Sequence, residues 1–346
     1  MSANWRRLLI FSFYVAFCCA VIASAQTTVH SARYFHQVAI SPNGNRVAWV
    51  EPAAVEAGAG EGTAIYVQDL KSPSARPQRI SAANGKVQSE SVAWAPDSKR
   101  LAFLSNADSS GQAELYVADA GGGNLHKLTS LKGFLSDPAW SPDGKTLAIL
   151  FTENADRAAG PLQPMTPEIG VVESKIYEQR LTVVDVASGN VRQCSPADMY
   201  VYEYDWSPDS KSFAIVAAHG AGDSNWYVAR LYTLGFAEAK LTEVYKPHWQ
   251  IADPRWSPDG SSIAFIEGLM SDEGSTGGDI FVVPASGGNA RNVTPGIAAS
   301  PNGVFWTSSA RILFTENIDG ESGISAVELA SGKISKLWSE PETLAV

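Results

Sequence analysis

The sequence predicts an all-β protein, a β-propeller of about six four-stranded blades whose ring closure it leaves open. Two observations support this fold class. A short turn phrase, complete as WSPDG at 140–144, recurs along the 346 residues at intervals of about 46 to 66 residues. Each copy is followed by short runs rich in β-branched and aromatic residues. Four-stranded units repeated at this spacing are typical of propeller blades.

The turn phrase itself predicts a hairpin turn. Ser, Pro, Asp and Gly in this order are favoured at the four positions of a type I turn. The aromatic ring before the turn is suited to filling the space between neighbouring blades. A catalytic acid is not expected to be copied into five turns around a ring, so we interpret the phrase as structural. The turn and blade residues assigned in this way are Trp94, Asp97, Trp140, Asp143, Gly144, Trp206, Asp209, Trp256, Asp259 and Gly260.

The runs after each phrase supply the remaining strands of a blade. TLAIL (146–150) directly follows one copy, ELYVADA (114–120) is a second run, and LHKLT (125–129) is a short third run. Gly and Pro separate the runs, and helical periodicity is missing from the sequence. A degenerate sixth copy around 300–306 completes the count of about six blades.

The N-terminus predicts export. Arg6 and Arg7 precede an apolar stretch at 8–22, and Ala23-Ser24-Ala25 fits a cleavage site. The apolar stretch is short for a membrane span. We therefore expect a signal peptide at 1–25 and a mature propeller domain at 26–346, in the periplasm or secreted, with no stable membrane anchor after cleavage. An uncleaved N-terminal anchor is the alternative.

Charge and cysteine content limit the possible partners. The formal net charge is −10, and it becomes −12 once Arg6 and Arg7 are removed. Nucleic acid and anionic membranes require a basic surface, so both are excluded as expected partners. Cys194 is the only cysteine within 26–346, which excludes an intrachain disulfide there. Stability must therefore come from the core.

The sequence contains no recognisable catalytic motif. G-x-S-x-G, H-E-x-x-H, a Cys/His cluster, a P-loop and a dinucleotide fingerprint are all missing from the 346 residues. We predict no catalytic residue, no metal and no cofactor, and a chain that is not an enzyme by itself.

Three segments depart from the blade pattern and hold the candidate ligand contacts. They are the acidic, Gly-rich segment 267–279, the long insertion 153–179, and the aromatic strand YVYEYDW at 200–206. Long loops between strands often carry function. The alternatives are a solvated hairpin loop for the first, packing for the second, and core or channel lining for the third. The candidate residues are Glu267, Asp272, Glu273, Asp279, Glu173, Tyr177, Tyr202 and Glu203.

The same segments carry a family resemblance. RLTVVDVASGNVRQ (180–193), YVYEYDWSPDSKSFAIVAA (200–218) and LMSDEGSTGGDIFVVPASGGNARNVTPG (269–296) resemble the N-terminal propeller of prolyl oligopeptidase-family serine peptidases, in particular the bacterial dipeptidyl-peptidase and acylaminoacyl-peptidase-like group. The resemblance implies a propeller that restricts access to an α/β-hydrolase domain and so selects short peptides. No triad position of that family can be matched here. Peptides, or a hydrolase domain or subunit, are therefore the expected partners.

Two other functions remain open. One is a TolB-like periplasmic protein-interaction propeller. The other is a metal-dependent propeller hydrolase of the lactonase type, which would need carboxylates and Asn side chains from several blades to converge on the central channel.

Overall fold

A computed structural model describes residues 34–53, 62–80, 87–108, 112–155, 177–220, 222–270 and 277–341. These ranges form six four-stranded antiparallel sheets, which confirms the predicted fold class and blade number. The helices in the described part are a short helix α1 (Gly222–Asn225) and a 3-10 turn (Trp226–Val228). The predicted signal peptide lies outside the described residues.

Each blade is a meander whose strands follow the chain order from the first, inner strand to the fourth. Blade 1 contains β1 (Gln37–Ile40), β2 (Arg46–Pro52), β3 (Thr63–Asp69) and β4 (Gln78–Ile80); blade 2 contains β5 (Ser89–Trp94), β6 (Arg100–Ser105), β7 (Glu114–Asp119) and β8 (His126–Lys127). Blade 3 contains β9 (Gly133–Trp140), β10 (Thr146–Glu153), β11 (Gln179–Asp185) and β12 (Val191–Gln193); blade 4 contains β13 (Met199–Trp206), β14 (Ser212–His219), β15 (Arg230–Gly235) and β16 (Leu241–Tyr245). Blade 5 contains β17 (Gln250–Trp256), β18 (Ser262–Gly268), β19 (Asp279–Pro284) and β20 (Arg291–Asn292); blade 6 contains β21 (Ser300–Ser308), β22 (Arg311–Ile318), β23 (Glu321–Glu328) and β24 (Lys333–Glu340).

The turn phrase joins the first strand of a blade to the second. In blade 3 the N–H of Gly144 donates to the carbonyl of Ser141 at 2.8 Å, which closes the turn. The Ser141 hydroxyl donates to Asp143 Oδ1 at 2.7 Å, and the N–H of Lys145 donates to the same oxygen at 3.1 Å. These bonds, the hydroxyl first, hold the pKa of Asp143 below its ordinary value. The carboxylate therefore stabilises its own turn.

Two turns have Ser where the other copies have Gly. Ser98 and Ser210 adopt left-handed backbone angles, with φ of 58° and 60°. Each hydroxyl accepts a backbone N–H from the turn of the preceding blade, Asn43 to Ser98 and Asp143 to Ser210, both at 3.1 Å. These bonds offset part of the conformational cost and link successive turns at one end of the propeller.

A tryptophan precedes the turn in blades 2 to 6 and lies between neighbouring blades. Four indole N–H groups donate to a backbone carbonyl on the inner strand of the preceding blade. The pairs are Trp94 with Ala39 at 3.0 Å, Trp140 with Ala93 at 3.2 Å, Trp206 with Ala139 at 3.3 Å and Trp306 with Arg255 at 3.0 Å. Trp256 differs, because its backbone N–H bonds to the Asp205 carboxylate at 2.8 Å and its buried indole nitrogen has no partner among the described residues.

The hydrophobic core lies between the blades rather than within one sheet. One cluster joins Ala148 and Leu181 of blade 3 to Val201, Trp206 and Phe213 of blade 4. Similar clusters join blades 1 and 2, and blades 5 and 6. The apolar runs after each phrase are buried because the sheets of consecutive blades pack face to face.

We expect replacement of an inter-blade tryptophan to destabilise the whole propeller. Trp206 is 5% exposed and its ring lies 4.0 Å from that of Phe213. Trp206→Ala should lower the free energy of unfolding by about 3–5 kcal/mol through lost burial. Trp206→Phe should cost about 1–2 kcal/mol, since it loses the indole hydrogen bond and some packing. Urea unfolding measures both, and exposed Trp249→Ala, expected within about 0.5 kcal/mol of the parent, is the control. A cost for Trp206→Ala no larger than for the control would contradict the inter-blade role.

Candidate functional site

The inner strands enclose a cavity of about 770 Å³ at the centre of the propeller. Its walls come from β1, β5, β9, β13 and β17, with contributions from Val50 and Leu150. Its lining includes the acidic side chains of Glu90, Asp137, Glu203 and Asp253, the Arg255 guanidinium, and the polar side chains of His36, Gln37, Ser91, Tyr202 and Tyr204. This cavity, here called the central channel, is the candidate site.

A repeated backbone irregularity presents these side chains. The pairing of first and second strands shifts register in blades 2, 3, 4 and 5, close to the position three residues before the Trp. Ser91, Asp137 and Asp253 occupy that position, with φ of 55°, 50° and 56°. A β-bulge leaves one residue unpaired and redirects its side chain. Asp137, Glu203 and Asp253 are therefore equivalent positions of the repeat.

Several channel side chains also bind the next blade. Gln37 accepts the N–H of Val92 at 2.7 Å and donates to its carbonyl at 3.0 Å. The Glu203 carboxylate accepts the N–H of Asp253, and the Asp253 carboxylate accepts the N–H of Val304. Each bond joins the inner strand of one blade to that of the following blade.

Negative charge is concentrated around one arginine. Asp253 forms an ion pair with Arg255, and Asp137, Glu203 and Asp205 are the neighbouring carboxyls. Burial, reinforced by Asp253, raises the pKa of Glu203 to about 7. Burial also raises the pKa of Asp205 to about 6, although Arg255 opposes the rise. With four carboxyls and one guanidinium, the group can hold protons or attract a cation.

Two of the candidates predicted from sequence lie in the channel. Tyr202 and Glu203 line it beside Asp253. The Tyr202 hydroxyl donates to the carbonyl of Gly222 at 2.7 Å, which leaves its ring along the wall. The channel therefore brings these two residues together with Asp137, Asp253 and Arg255, which sequence reasoning missed. Asp137 and Asp253 both lie three residues before the Trp of a turn phrase, and Arg255 lies one residue before it. This shared spacing could have identified them from the sequence.

Glu267 lies outside the channel lining and is buried. It accepts hydrogen bonds from the Tyr245 hydroxyl at 2.9 Å and from the N–H groups of His248 and Trp249 at 2.6 and 3.1 Å. Burial, followed by the bond to Glu267, raises the pKa of Tyr245 to about 12. The carboxylate thus holds the connection between blades 4 and 5, and these contacts satisfy it without a ligand.

Asp279 is the cross-strand neighbour of Glu267 and belongs to a second repeated arrangement. Its carboxylate accepts the Asn292 amide at 2.7 Å. Thr294, just beyond β20, accepts the N–H of Ile280 at 2.8 Å, as Thr129 accepts the N–H of Leu115 at 2.9 Å in blade 2. Sequence reasoning missed this role, although Thr ends both LHKLT and ARNVT.

Of the four remaining candidate residues, the structure describes only Tyr177. Tyr177 lies just before β11, whereas Glu173, Asp272 and Glu273 lie outside the described residues. Segments 153–179 and 267–279 both join the second strand of a blade to the third. Because successive strands run in opposite directions, those strands end at the face opposite the turn phrases. The turn phrases and the strand ends that flank the two candidate segments therefore lie at different ends of the propeller.

The described part of the chain holds neither a metal-binding group of side chains nor a helix that could span a membrane. Within it, no three His, Cys, Asp or Glu side chains are grouped so that they could hold a metal ion. Its helices are also all too short or too polar to cross a bilayer.

The fold and the channel define a class of protein. The family model described as the TolB beta propeller domain matches residues 23–161. The chain is thus a β-propeller that is similar to the TolB propeller over those residues, and the solved structures that it resembles include a peptidase.

The individual relatives and solved structures have low sequence identity to this chain. An uncharacterized peptidase, YuxL of Bacillus subtilis strain 168, is 24% identical over 244 residues, which is 70% of this chain and 31% of that protein. The chain thus spans about a third of that relative's length. The acylaminoacyl peptidase of Pyrococcus horikoshii superposes with a TM-score of 0.60 at 14% identity, covering 88% of this chain and 46% of that one. An oligogalacturonate lyase in complex with manganese superposes with a TM-score of 0.59 at 14% identity, covering 90% and 74%. At these identities the structural matches show the fold alone.

The channel carboxyls predict an unusual dependence of stability on pH. Glu203 titrates near its ordinary value of 4.5 in the unfolded chain and at about 7 in the folded one. The folded state therefore binds more protons in this window, and stability must fall as pH rises through it. The turn aspartates, whose pKa values lie below 3.8, stay ionised throughout. We expect the free energy of unfolding in urea to drop by about 1–2 kcal/mol between pH 5 and pH 8.

Glu203→Gln should remove the largest part of this slope, because the amide oxygen still accepts a hydrogen bond but no longer titrates. Glu238→Gln, on the exposed surface of blade 4, is the matched control and should keep the parent slope. Stability that rises between pH 5 and pH 8 would show that the channel carboxyls are not protonated in the folded state.

We expect Glu267→Ala to act on stability. The change leaves two backbone N–H groups and the Tyr245 hydroxyl without their acceptor, at a cost of about 1–3 kcal/mol. Thermal unfolding measures the loss, and exposed Glu238→Ala should change it by less than about 0.5 kcal/mol. Equal effects of the two changes would show that Glu267 does not hold the blade connection.

Proposed function

We propose that this chain is a non-catalytic, exported β-propeller that selects short, positively charged peptides through its central channel for a separate peptidase domain or subunit. The acidic channel is the observation that carries the proposal. Glu90 and Asp137 are solvent-exposed on its wall, and the lining holds one arginine, Arg255, and one histidine, His36, against four acidic side chains.

The size of the channel suits a short peptide. A cavity of about 770 Å³ falls within the range of small-molecule pockets. Peptide amino termini and lysine side chains are cations, so they gain favourable interaction with a channel lined by carboxylates. An acidic peptide, by contrast, would be repelled by the same carboxylates. The expected selection is therefore by charge as well as by size.

The relatives support the link to peptidases. YuxL is named a peptidase, and the matched region is 31% of its length. In the acylaminoacyl peptidase structure the matched region is 46% of the chain. In both relatives the region that matches this chain is one part of a longer peptidase. This arrangement supports a role for the present propeller beside a peptidase domain or subunit.

A second candidate function is protein interaction of the TolB type. It is favoured by the family-model match over residues 23–161. In that case the ligand would be a folded partner on the outer surface, and the channel would not discriminate between peptides. The oligogalacturonate lyase match raises a third possibility, a propeller with its own activity, which an activity assay addresses.

Peptide binding tests the proposal. Fluorescein-labelled Lys-Ala-Lys should bind the purified chain at least tenfold more tightly than labelled Glu-Ala-Glu in an anisotropy titration. The preference should shrink in 0.5 M salt, because screening weakens charge recognition. The double change Glu90→Gln and Asp137→Asn should lower the affinity for Lys-Ala-Lys at least tenfold. Asp319→Asn, in the β22–β23 turn, is the matched control and should leave it unchanged.

Three results would contradict the proposal. Equal binding of the two peptides would favour the interaction propeller. An unchanged affinity in the double variant would move the peptide site out of the channel. Hydrolysis of a chromogenic dipeptide by the purified chain would show that it is catalytic by itself.

A further inference from the structure

The carboxyl groups on the lining of the central channel form two sets that differ in exposure. Glu90 and Asp137 are exposed to solvent. Glu203 and Asp253 line the same channel but are only partly exposed, and the side chain of Asp253 is 15% exposed. The channel therefore combines carboxylates that water stabilises with carboxyls that water reaches poorly.

Glu203 differs from the other enclosed carboxyls in its partners. Asp253 forms an ion pair with Arg255. Asp205 accepts the N–H of Trp256 at 2.8 Å and lies outside the channel lining. Glu203 lines the channel and accepts the backbone N–H of Asp253, but it forms no ion pair within the described part of the chain. Its negative charge is therefore the least compensated among the enclosed carboxyls of the lining.

The charged groups around Glu203 are mostly acidic. Arg255 on β17 is the shared basic neighbour of four carboxyls, which belong to Asp137, Glu203, Asp205 and Asp253. The other titratable side chains on the channel lining are Glu90, His36, Tyr202 and Tyr204. Mutual repulsion opposes full ionisation of the carboxyls, and a retained proton or a bound cation relieves it. Burial, followed by the charge of Asp253, raises the pKa of Glu203 to about 7, so part of the molecules retain this proton at neutral pH.

We propose that the central channel exchanges a proton for its cationic ligand, and that Glu203 is the group that releases the proton. This inference rests on the proposed selection of positively charged peptides. Without ligand, the carboxyl of Glu203 carries a proton in a fraction of the molecules. When a lysine ammonium or a peptide amino terminus enters, the O–H bond of this carboxyl breaks and the proton passes to water. The resulting carboxylate pairs with the ammonium group.

The direction of the pH effect follows from linkage. The ammonium group favours the ionised form of Glu203, so the pKa of this carboxyl is lower in the complex than in the free protein. Binding therefore releases a proton at pH values between the two pKa values. The affinity rises with pH up to the pKa in the free protein, about 7, and levels off above it. The channel would thus hold peptides at neutral pH and release them under acidic conditions.

Isothermal titration calorimetry with acetyl-Lys-Ala-Lys tests the proposal on the whole chain. The lysine side chains of this peptide keep their charge between pH 5.5 and pH 7.5, so a change in bound protons belongs to the protein. Phosphate and MES are buffers without positive net charge that differ in ionisation enthalpy. The heats measured in them at pH 6.5 should differ by the release of about 0.5 to 1 proton for each peptide bound. The affinity should rise about tenfold between pH 5.5 and pH 7.5.

Glu203→Gln separates proton exchange from a structural role, because an amide resembles the protonated carboxyl but cannot ionise. The variant should bind the peptide as the parent does at pH 5.5 and at least fivefold more weakly at pH 7.5, with almost no proton release. His36→Gln is the matched control, since histidine side chains also change charge in this range and His36 lines the same channel. Whatever its affinity, this variant should keep the proton release of the parent.

Infrared difference spectroscopy gives a readout that needs no variant. Adding the peptide to the parent at pH 6.5 should remove the band of one protonated carboxyl group. An unchanged band contradicts the proposal, also in the case that Glu203→Gln does not fold.

Failure of the proton exchange and failure of the proposed function give different results. Binding that does not respond to Glu90→Gln and Asp137→Asn removes the channel as the peptide site, and the proton exchange is then wrong as well. Binding that depends on these two residues but releases no proton contradicts the proton exchange alone. Release that persists in Glu203→Gln, or that disappears in His36→Gln, also contradicts the assignment to Glu203.

Discussion

The structure depends on one kind of interaction, polar bonds that join the inner strands of successive blades. These bonds are of two types, and both types are present between blades 1 and 2 and between blades 5 and 6. A side chain in the channel accepts a backbone N–H from the next blade, and an indole N–H donates back to the preceding blade. Both bonds lie beside apolar clusters from which water is excluded, where an unmade hydrogen bond is costly. They therefore fix the register of one blade against the next, while the apolar clusters provide most of the favourable free energy.

The same bonds create a conflict between stability and recognition. Carboxylates are good acceptors for backbone N–H groups, but several of them around one channel repel one another. Arg255 compensates part of this charge through its pair with Asp253, while burial, with a smaller contribution from Asp253, raises the pKa values of Glu203 and Asp205. A ligand with positive charge would relieve the remaining repulsion. A channel built in this way is held together by the groups that would bind its ligand.

The repeat made much of the fold predictable, and particular residues show where prediction ended. Trp140 and Asp143 could be placed in a blade turn because their neighbours encode a local conformation. The role of Ser98 and Ser210 could not be predicted from the turn phrase, since the N–H groups that their hydroxyls accept come from other blades. Glu267 was read as a loop carboxylate, but its three donors come from residues 245–249, beyond the hairpin to which it belongs. Asp137 and Asp253 were not predicted as site residues. The alternation of apolar and polar residues along a strand does not show where a β-bulge redirects a side chain.

The sequence by itself determined the all-β class, the number of blades and the position of each turn. These properties follow from short-range rules, since turn residues and alternating apolar runs act within a few positions of the chain. Only the tertiary structure decided which polar residues face the channel and which of them are enclosed. Those properties depend on bulges and on contacts between residues about 50 positions apart, such as Glu203 with Asp253 and Gln37 with Val92. Packing between blades, rather than local preference, places these groups together.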